Sequence, residues 1–305
     1  MKLRAPYPYF GGKATVADLI WERLGDVANY VEPFFGSGAV LLNRPHYPFR
    51  ETRIETINDA DGLVCNFWRA LHADPNEVAQ HADWPVSELD LHARHLWLTN
   101  TGRQQVERLR EDPDWYDAKI AGWWVWGIGQ WIGSGWCKHP ERKKLPHLGD
   151  AGMGVHRGSE TDLHGYFRLL AERLRQVRVC CGDWSRVCGP TPTVKQGLTG
   201  VFLDPPYTQT ERDANLYAVE INVAADVRQW CLEHGSDRRL RIALCGYAGE
   251  CHEELEHHGW EVVAWKARGG YGVQGNGTDG RENSKRERIW FSPHCLNQPE
   301  LSLFA

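Results

Sequence analysis

Short apolar runs that end in turn residues and lead into apolar residues at helical spacing recur along this chain, and that rhythm admits few architectures. Tyr30-Val31-Glu32-Pro33-Phe34 stops at the turn Phe35-Gly36-Ser37-Gly38, after which Ala39, Val40, Leu41 and Leu42 start a helix. Ile54 to Ile57 ends in Asn58-Asp59-Ala60-Asp61, and Leu63, Val64, Phe67, Trp68 and Leu71 then recur at helical spacing. From residue 165, Tyr166, Leu169, Leu170, Leu174 and Val177 predict a helix leading into a strand over 177–183. A strand over 200–204, a helix over 219–234, a strand over 241–247 and a helix near 250–258 follow, with strands over 260–267 and 287–291 last. Repeated strand-helix units predict an α/β fold. Its sheet is mostly parallel, with helices on both faces and an antiparallel final strand. Ligands in such sheets bind at the carboxyl ends of strands, where residues 34–38, 58–61 and 204–207 all fall.

The rhythm breaks between residues 73 and 165. A polar helical stretch reaches about residue 120, and then AGWWVWGIGQWIGSGWC, residues 121–137, interleaves Trp123, Trp124, Trp126, Trp131 and Trp136 with glycines. That block shows no strand-helix rhythm, and the Gly-, Pro- and His-rich stretch after it reads as a long loop. The chain therefore divides into residues 1–72, an insertion at 73–165 with helices and loops, and residues 166–305 completing the sheet.

Length and composition suit one large α/β core with an insert: 305 residues, 42% hydrophobic and 25% charged. No run of about 18 apolar residues predicts a membrane span, and no apolar stretch follows the early positive charges, so a cytoplasmic protein is expected. Nine cysteines, an odd number with no C-x-x-C pair, predict reduced structural thiols and no metal site. His92 with His95, and His252 with His257 and His258, read as solvated helix faces. The net charge of -5 lacks the basic signature of a nucleic-acid binder. Lys138, Arg142, Lys143 and Lys144 nevertheless cluster, as do Arg281, Lys285, Arg286 and Arg288, and a local basic face can coexist with an acidic whole.

The most specific chemistry lies in Asp204-Pro205-Pro206-Tyr207. Two prolines at a strand end fix the backbone and remove two amide donors, leaving carbonyl oxygens to accept. Held there, the Asp204 carboxylate and the Pro205 carbonyl can take the two protons of an amino group, localising its lone pair for attack on a sulfonium methyl, while Tyr207 offers a face for a planar base. Upstream, Gly36 and Gly38 let the backbone approach a ligand closely. Asp59, at the end of the second strand, stands where nucleoside-binding α/β folds place an acid for ribose hydroxyls.

In order along the chain, Tyr9-Phe10-Gly11-Gly12-Lys13, Val31-Glu32-Pro33-Phe34-Phe35-Gly36-Ser37-Gly38, Asn58-Asp59 and Asp204-Pro205-Pro206-Tyr207 resemble the motifs of the Dam-type DNA adenine-N6 methyltransferases. The resemblance covers residues 6–72 and 166–295. It implies a Rossmann-like methyltransferase sheet that binds S-adenosylmethionine and acts on DNA; separately, a monomer is expected, with a dimer still open. Tyr9 and Lys13 would line the methionine end of the cofactor. Phe35, Gly36 and Gly38 would form its turn, Asp59 would hold its ribose, and Asp183 would stand near its adenine. Asp204 would serve both cofactor and target amine, with Pro205, Pro206 and Tyr207 completing the catalytic turn, and the target base would be flipped out of the duplex. Residues 73–165 would recognise the DNA. Most of the tryptophans are then expected in a small core of the insertion, one or two wedging the duplex. Lys138, Arg142, Lys143, Lys144, Arg281, Lys285 and Arg286 would meet phosphates. An N4-cytosine or RNA adenine methyltransferase could use the same acceptor pair. A binding module without turnover is the alternative of another class, and the intact Asp204 to Tyr207 and Lys13 speak against it.

Overall fold

The computed structural model describes residues 3–8, 12–131, 135–141, 145–146, 162–206, 214–265 and 286–297. Among them the chain forms α1 (Ala17–Leu24), β1 (Asn29–Glu32), α2 (Ala39–Leu42), β2 (Ile54–Asp59) and α3 (Gly62–Ala73). α4 (Pro75–Ala82), α5 (Glu88–Trp97), α6 (Arg103–Val106) and α7 (Ala118–Ile128) come next. They are followed by α8 (Leu163–Leu174), β3 (Val177–Cys181), β4 (Thr199–Leu203), α9 (Ala214–His234), β5 (Leu240–Tyr247), β6 (Glu261–Ala264) and β7 (Glu287–Phe291).

The sheet runs β3-β2-β1-β4-β5-β7-β6. Its first five strands pair in parallel, Val31 lying opposite Val201 and Leu203 opposite Leu244. β7 is antiparallel, as the sequence rhythm implies, and it enters between β5 and β6, a position the sequence rhythm does not give. Every residue of β1 and β4 is buried, the signature of central parallel strands covered on both faces. The chain winds outward through β2 and β3 on one side of β1 and through β4 and β5 on the other. The β1/β4 boundary is thus the topological switch point, below the crevice where such sheets bind ligands.

Helix starts follow capping chemistry. Asp61, Asp74, Ser87, Asp117 and Asp162 each accept a hydrogen bond from a backbone amide in the first turn of α3, α4, α5, α7 and α8, satisfying donors that have no partner within the helix.

The tryptophan-glycine block differs from its sequence reading, since its first eight residues, 121–128, belong to helix α7. α7 buries Ala118, Ile120, Ala121, Gly122, Trp124, Val125, Trp126 and Gly127, nearly its whole circumference, so no polar face marks a period. Two of its glycines are needed for contact. A Cβ at Gly122 would fall 2.4 Å from the His81 Cβ and 2.7 Å from the Val78 carbonyl oxygen on α4, and one at Gly127 would fall 2.0 Å from the Trp136 ring. Trp124, Trp126, Trp131 and Trp136 are buried, as packing residues should be. Their core is not confined to 73–165. Tyr7 and Phe67 of the sheet side meet Trp124 at ring separations of 4.9 and 5.9 Å, within one continuous apolar cluster.

Other boundaries shift for local reasons. β3 ends at Cys181 because Gly182, at φ 142°, turns the chain away. Residues 252–258 form a 3-10 helix rather than an α-helix, closed by Gly259 at φ 80°. α9 begins at Ala214, earlier than its sequence pattern suggests. Two histidines read as solvated are buried: His95 at 1% exposure and His252 at 1%. His95 lies flat against Trp131, ring centroids 4.5 Å apart, and burial lowers the His252 imidazole to about 4. All nine cysteines are free thiols. Among the described residues no helix is long and apolar enough to cross a membrane, and no cluster of three metal-ligating side chains occurs.

Candidate active site

Three strand ends meet above the β1/β2/β3 half of the sheet, and a single side chain ties them together. Asn58 donates from Nδ2 to the Pro33 carbonyl after β1 and to the Gly182 carbonyl after β3, at 3.0 and 2.9 Å. The Phe35 amide donates to the Asn58 carbonyl at 2.9 Å. These bonds hold the turn 33–38 in place. Gly36 and Gly38 take φ of 47° and 69°, the left-handed region where a side chain is strained. At Gly38 a Cβ would also come 2.5 Å from the Phe35 ring. The Phe35 ring itself is buried against Trp68, centroids 5.0 Å apart, so this residue supports the turn from inside.

Asp59 locks the turn from the β2 side. Its Oδ2 accepts from the Gly36 amide and its Oδ1 from the Asp61 amide, both at 2.9 Å. Burial pushes its carboxyl up to about 6, and the amides of Asp61 and Gly36 offset that only in part. The Gly36 carbonyl accepts from the Tyr7 hydroxyl at 2.7 Å and from the Trp68 indole at 3.2 Å. Tyr7 was not singled out by sequence reasoning, although it lies two residues before Tyr9 in the same aromatic run.

Across the switch point the chemistry changes. Lys13, 3% exposed, donates to both carboxylate oxygens of Asp204, at 2.8 and 2.9 Å. Burial alone would lower the pKa of this ammonium. Asp204, aided by Cys245 and Glu287, more than reverses that and raises its pKa above the ordinary lysine range. The ammonium also lies 5.8 Å from the centre of the Trp265 ring. The Asp204 side chain keeps 21% exposure, while Pro205 is buried and Pro206 exposed.

Two further acids stand at the ends of β1 and β3. Asp183, exposed after β3, accepts from the amide and the hydroxyl of Ser185. Beside it the Phe34 and Trp184 rings stack at 6.0 Å and 29°, an aromatic wall absent from the sequence reading. Glu32, 2% exposed at the end of β1, accepts from the Tyr30 hydroxyl at 2.8 Å. Burial pushes its carboxyl well above the usual range. The Tyr30 hydroxyl offsets this in part, and nearby Asp204 adds to it.

The expected DNA contacts are only partly placed. Lys138 is exposed. Arg286 donates from Nε and Nη2 to the Ala248 carbonyl, at 3.1 and 2.7 Å, and its guanidinium lies 5.6 Å from the Tyr247 ring, so it secures the loop after β5. Tyr9, Arg142, Lys143, Lys144, Tyr207, Arg281 and Lys285 lie outside the described residues.

Residues 9–105 match the family model of the D12 class N6 adenine-specific DNA methyltransferases, in line with the resemblance carried by the motifs. The matched stretch contains Lys13, the turn 33–38 and Asp59, and stops before α7. No curated protein matches the chain.

Proposed function

We propose that this enzyme, of the D12 class of N6 adenine-specific DNA methyltransferases, transfers the methyl group of S-adenosylmethionine to the N6 amine of an adenine flipped out of the duplex. The observation that carries the reading is the Lys13–Asp204 ion pair at the switch point, which joins the first motif of the chain to the last.

The donors and acceptors present suit such a cofactor. Asp59 offers a carboxylate for ribose hydroxyls, while Phe34, Trp184 and exposed Asp183 provide apolar faces and an acceptor for a purine. Tyr9 would line its methionine end together with Lys13. When bound, the cofactor would supply an electrophilic methyl on a sulfonium sulfur.

The remaining work belongs to the protein. The Asp204 carboxylate would accept one N–H of the adenine amine and the Pro205 carbonyl the other, directing the nitrogen lone pair away from the ring. Lys13 holds both oxygens of the carboxylate, so its orientation would not depend on the substrate. With the sulfonium leaving as a neutral thioether when its S–C bond breaks, the amine that gains the methyl would give up a proton along its hydrogen bond to Asp204. Tyr207 would stack on the displaced base, worth ~1 to 3 kcal/mol by analogy with single-strand binding. Residues 73–165 would read the DNA, with Lys138 among the phosphate contacts.

Incubation with methyl-labelled cofactor and duplex DNA, followed by nucleoside analysis, tests the reading. N6-methyladenine is the expected product. Methylcytosine as the sole product, or label entering RNA alone, would overturn it.

A further inference from the structure

Cys137 is one of three described non-glycine residues at positive φ, at 56°, and it is fully buried. A side chain in that conformation is strained and persists only where its surroundings over-determine it. Both polar groups of its backbone are held by side chains. The Cys137 amide donates to Nδ1 of His95 at 3.2 Å, and its carbonyl accepts from Nε of Arg103 at 2.9 Å. His95 is fixed in turn, its Nε2 lying 2.8 Å from the His139 carbonyl. With Nδ1 accepting, the ring is neutral and donates from Nε2, consistent with burial lowering its pKa.

The rest of the Arg103 fork holds a second loop. Nη1 and Nη2 each reach a different oxygen of Asp61, both at 3.2 Å. Asp61 is the residue whose amide donates to Asp59, and its Oδ1 also caps α3 through Leu63. One guanidinium therefore bridges the acid loop 59–61 to the strained turn before Lys138, which is exposed.

We infer that Arg103 is a positioning residue. It holds segment 135–139 on the acid loop so that Lys138 meets a DNA phosphate in register with the cofactor pocket. The inference rests on the proposed function. Its physical content is that a planar fork with three donors on two loops fixes their relative orientation, which a lysine or a neutral side chain cannot do.

The test is a double-mutant cycle on Arg103→Met and Lys138→Gln, read by duplex DNA affinity, its salt dependence and the calorimetric affinity for S-adenosylmethionine without DNA. Lys138→Gln should lower the salt slope by about one charge. Arg103→Met should do the same and weaken DNA binding about tenfold, while leaving cofactor affinity without DNA within about twofold. The double variant should be no weaker than Arg103→Met alone, because Lys138 has nothing left to lose once its turn is released. Arg103→Lys, which keeps a cation without the fork, should restore less than half of the loss in the logarithm of the affinity constant, and serves as the reading variant if Arg103→Met fails to fold. Additive losses, or full rescue by Arg103→Lys, would overturn the inference while the proposed function stands. An unsubstituted protein that binds neither cofactor nor DNA would instead overturn the functional reading beneath it.

Discussion

Two aspartates stand at the carboxyl ends of parallel strands on opposite sides of the switch point, and their surroundings differ in kind. Asp59 is held by two backbone amides, and burial pushes its carboxyl up to about 6. Asp204 is held by a buried ammonium that reaches both of its oxygens. Amides shape a carboxylate into a fixed acceptor for neutral hydroxyls, while an ammonium fixes its direction and balances its charge. On the proposed function, the same residue type at equivalent positions would serve binding on one side and chemistry on the other.

The comparison breaks most visibly at Asp204. Asp204→Ala should lower methyl transfer about thousandfold or more, measured with labelled cofactor and duplex DNA, because both the acceptor and the orientation are lost. It also leaves Lys13 buried without its partner, which should cost about 2 to 4 kcal/mol in a denaturant titration, so activity must be read on protein shown to be folded. Lys13→Met keeps the carboxylate and removes what aims it. Transfer should fall about a hundredfold, the scale of a misplaced reacting group. Retained activity in either variant would erase the catalytic half of the contrast.

Asp59→Ala should act on the other parameter. Cofactor affinity should weaken about tenfold to a hundredfold by calorimetry, as for a lost hydrogen bond to a charged group, with kcat at saturating cofactor within about threefold. Equal losses in kcat and KM would merge the two roles. The smallest effect is a pH dependence. Since the Asp59 carboxyl is raised above the ordinary 3.8, it takes up a proton as pH falls through about 6. Its contribution to folding is complete below the ordinary value and lost as pH rises through about 6, whereas cofactor binding through this carboxylate, as proposed, would need the charged form and run the opposite way. Affinity should drop about tenfold between pH 7 and pH 5 in the unsubstituted protein, and Asp59→Asn should flatten that profile.

How much of this was legible in the sequence depended on whether a signal was local. β7 spans 287–291, as expected, because ERIWF is a short apolar run next to a glycine-rich stretch. The strand-end placement of Asp59 and Asp204 followed from the same kind of reading. α7 was missed because a helix buried nearly all round has no polar stripe to give a period, and its glycines look like turn residues until the neighbouring rings are in place. The Lys13–Asp204 pair spans 191 positions and the Asn58 contact to Gly182 spans 124, separations that no spacing rule connects. The histidines misled for a related reason. A polar helix pattern does not reveal that Trp131 closes over His95 or that Trp290 packs against His252.

The Tyr7–Phe67–Trp124 contact bears on engineering. If residues 73–165 read the DNA as proposed, retargeting by grafting that stretch from a relative presumes a detachable cassette, yet here the graft line runs through the middle of one packed interior. Tyr7 also holds the Gly36 carbonyl, so an exchanged stretch that repacks this ring would disturb the turn below it. A chimaera that folds would have to carry its own counterparts of Tyr7 and Phe67 with it.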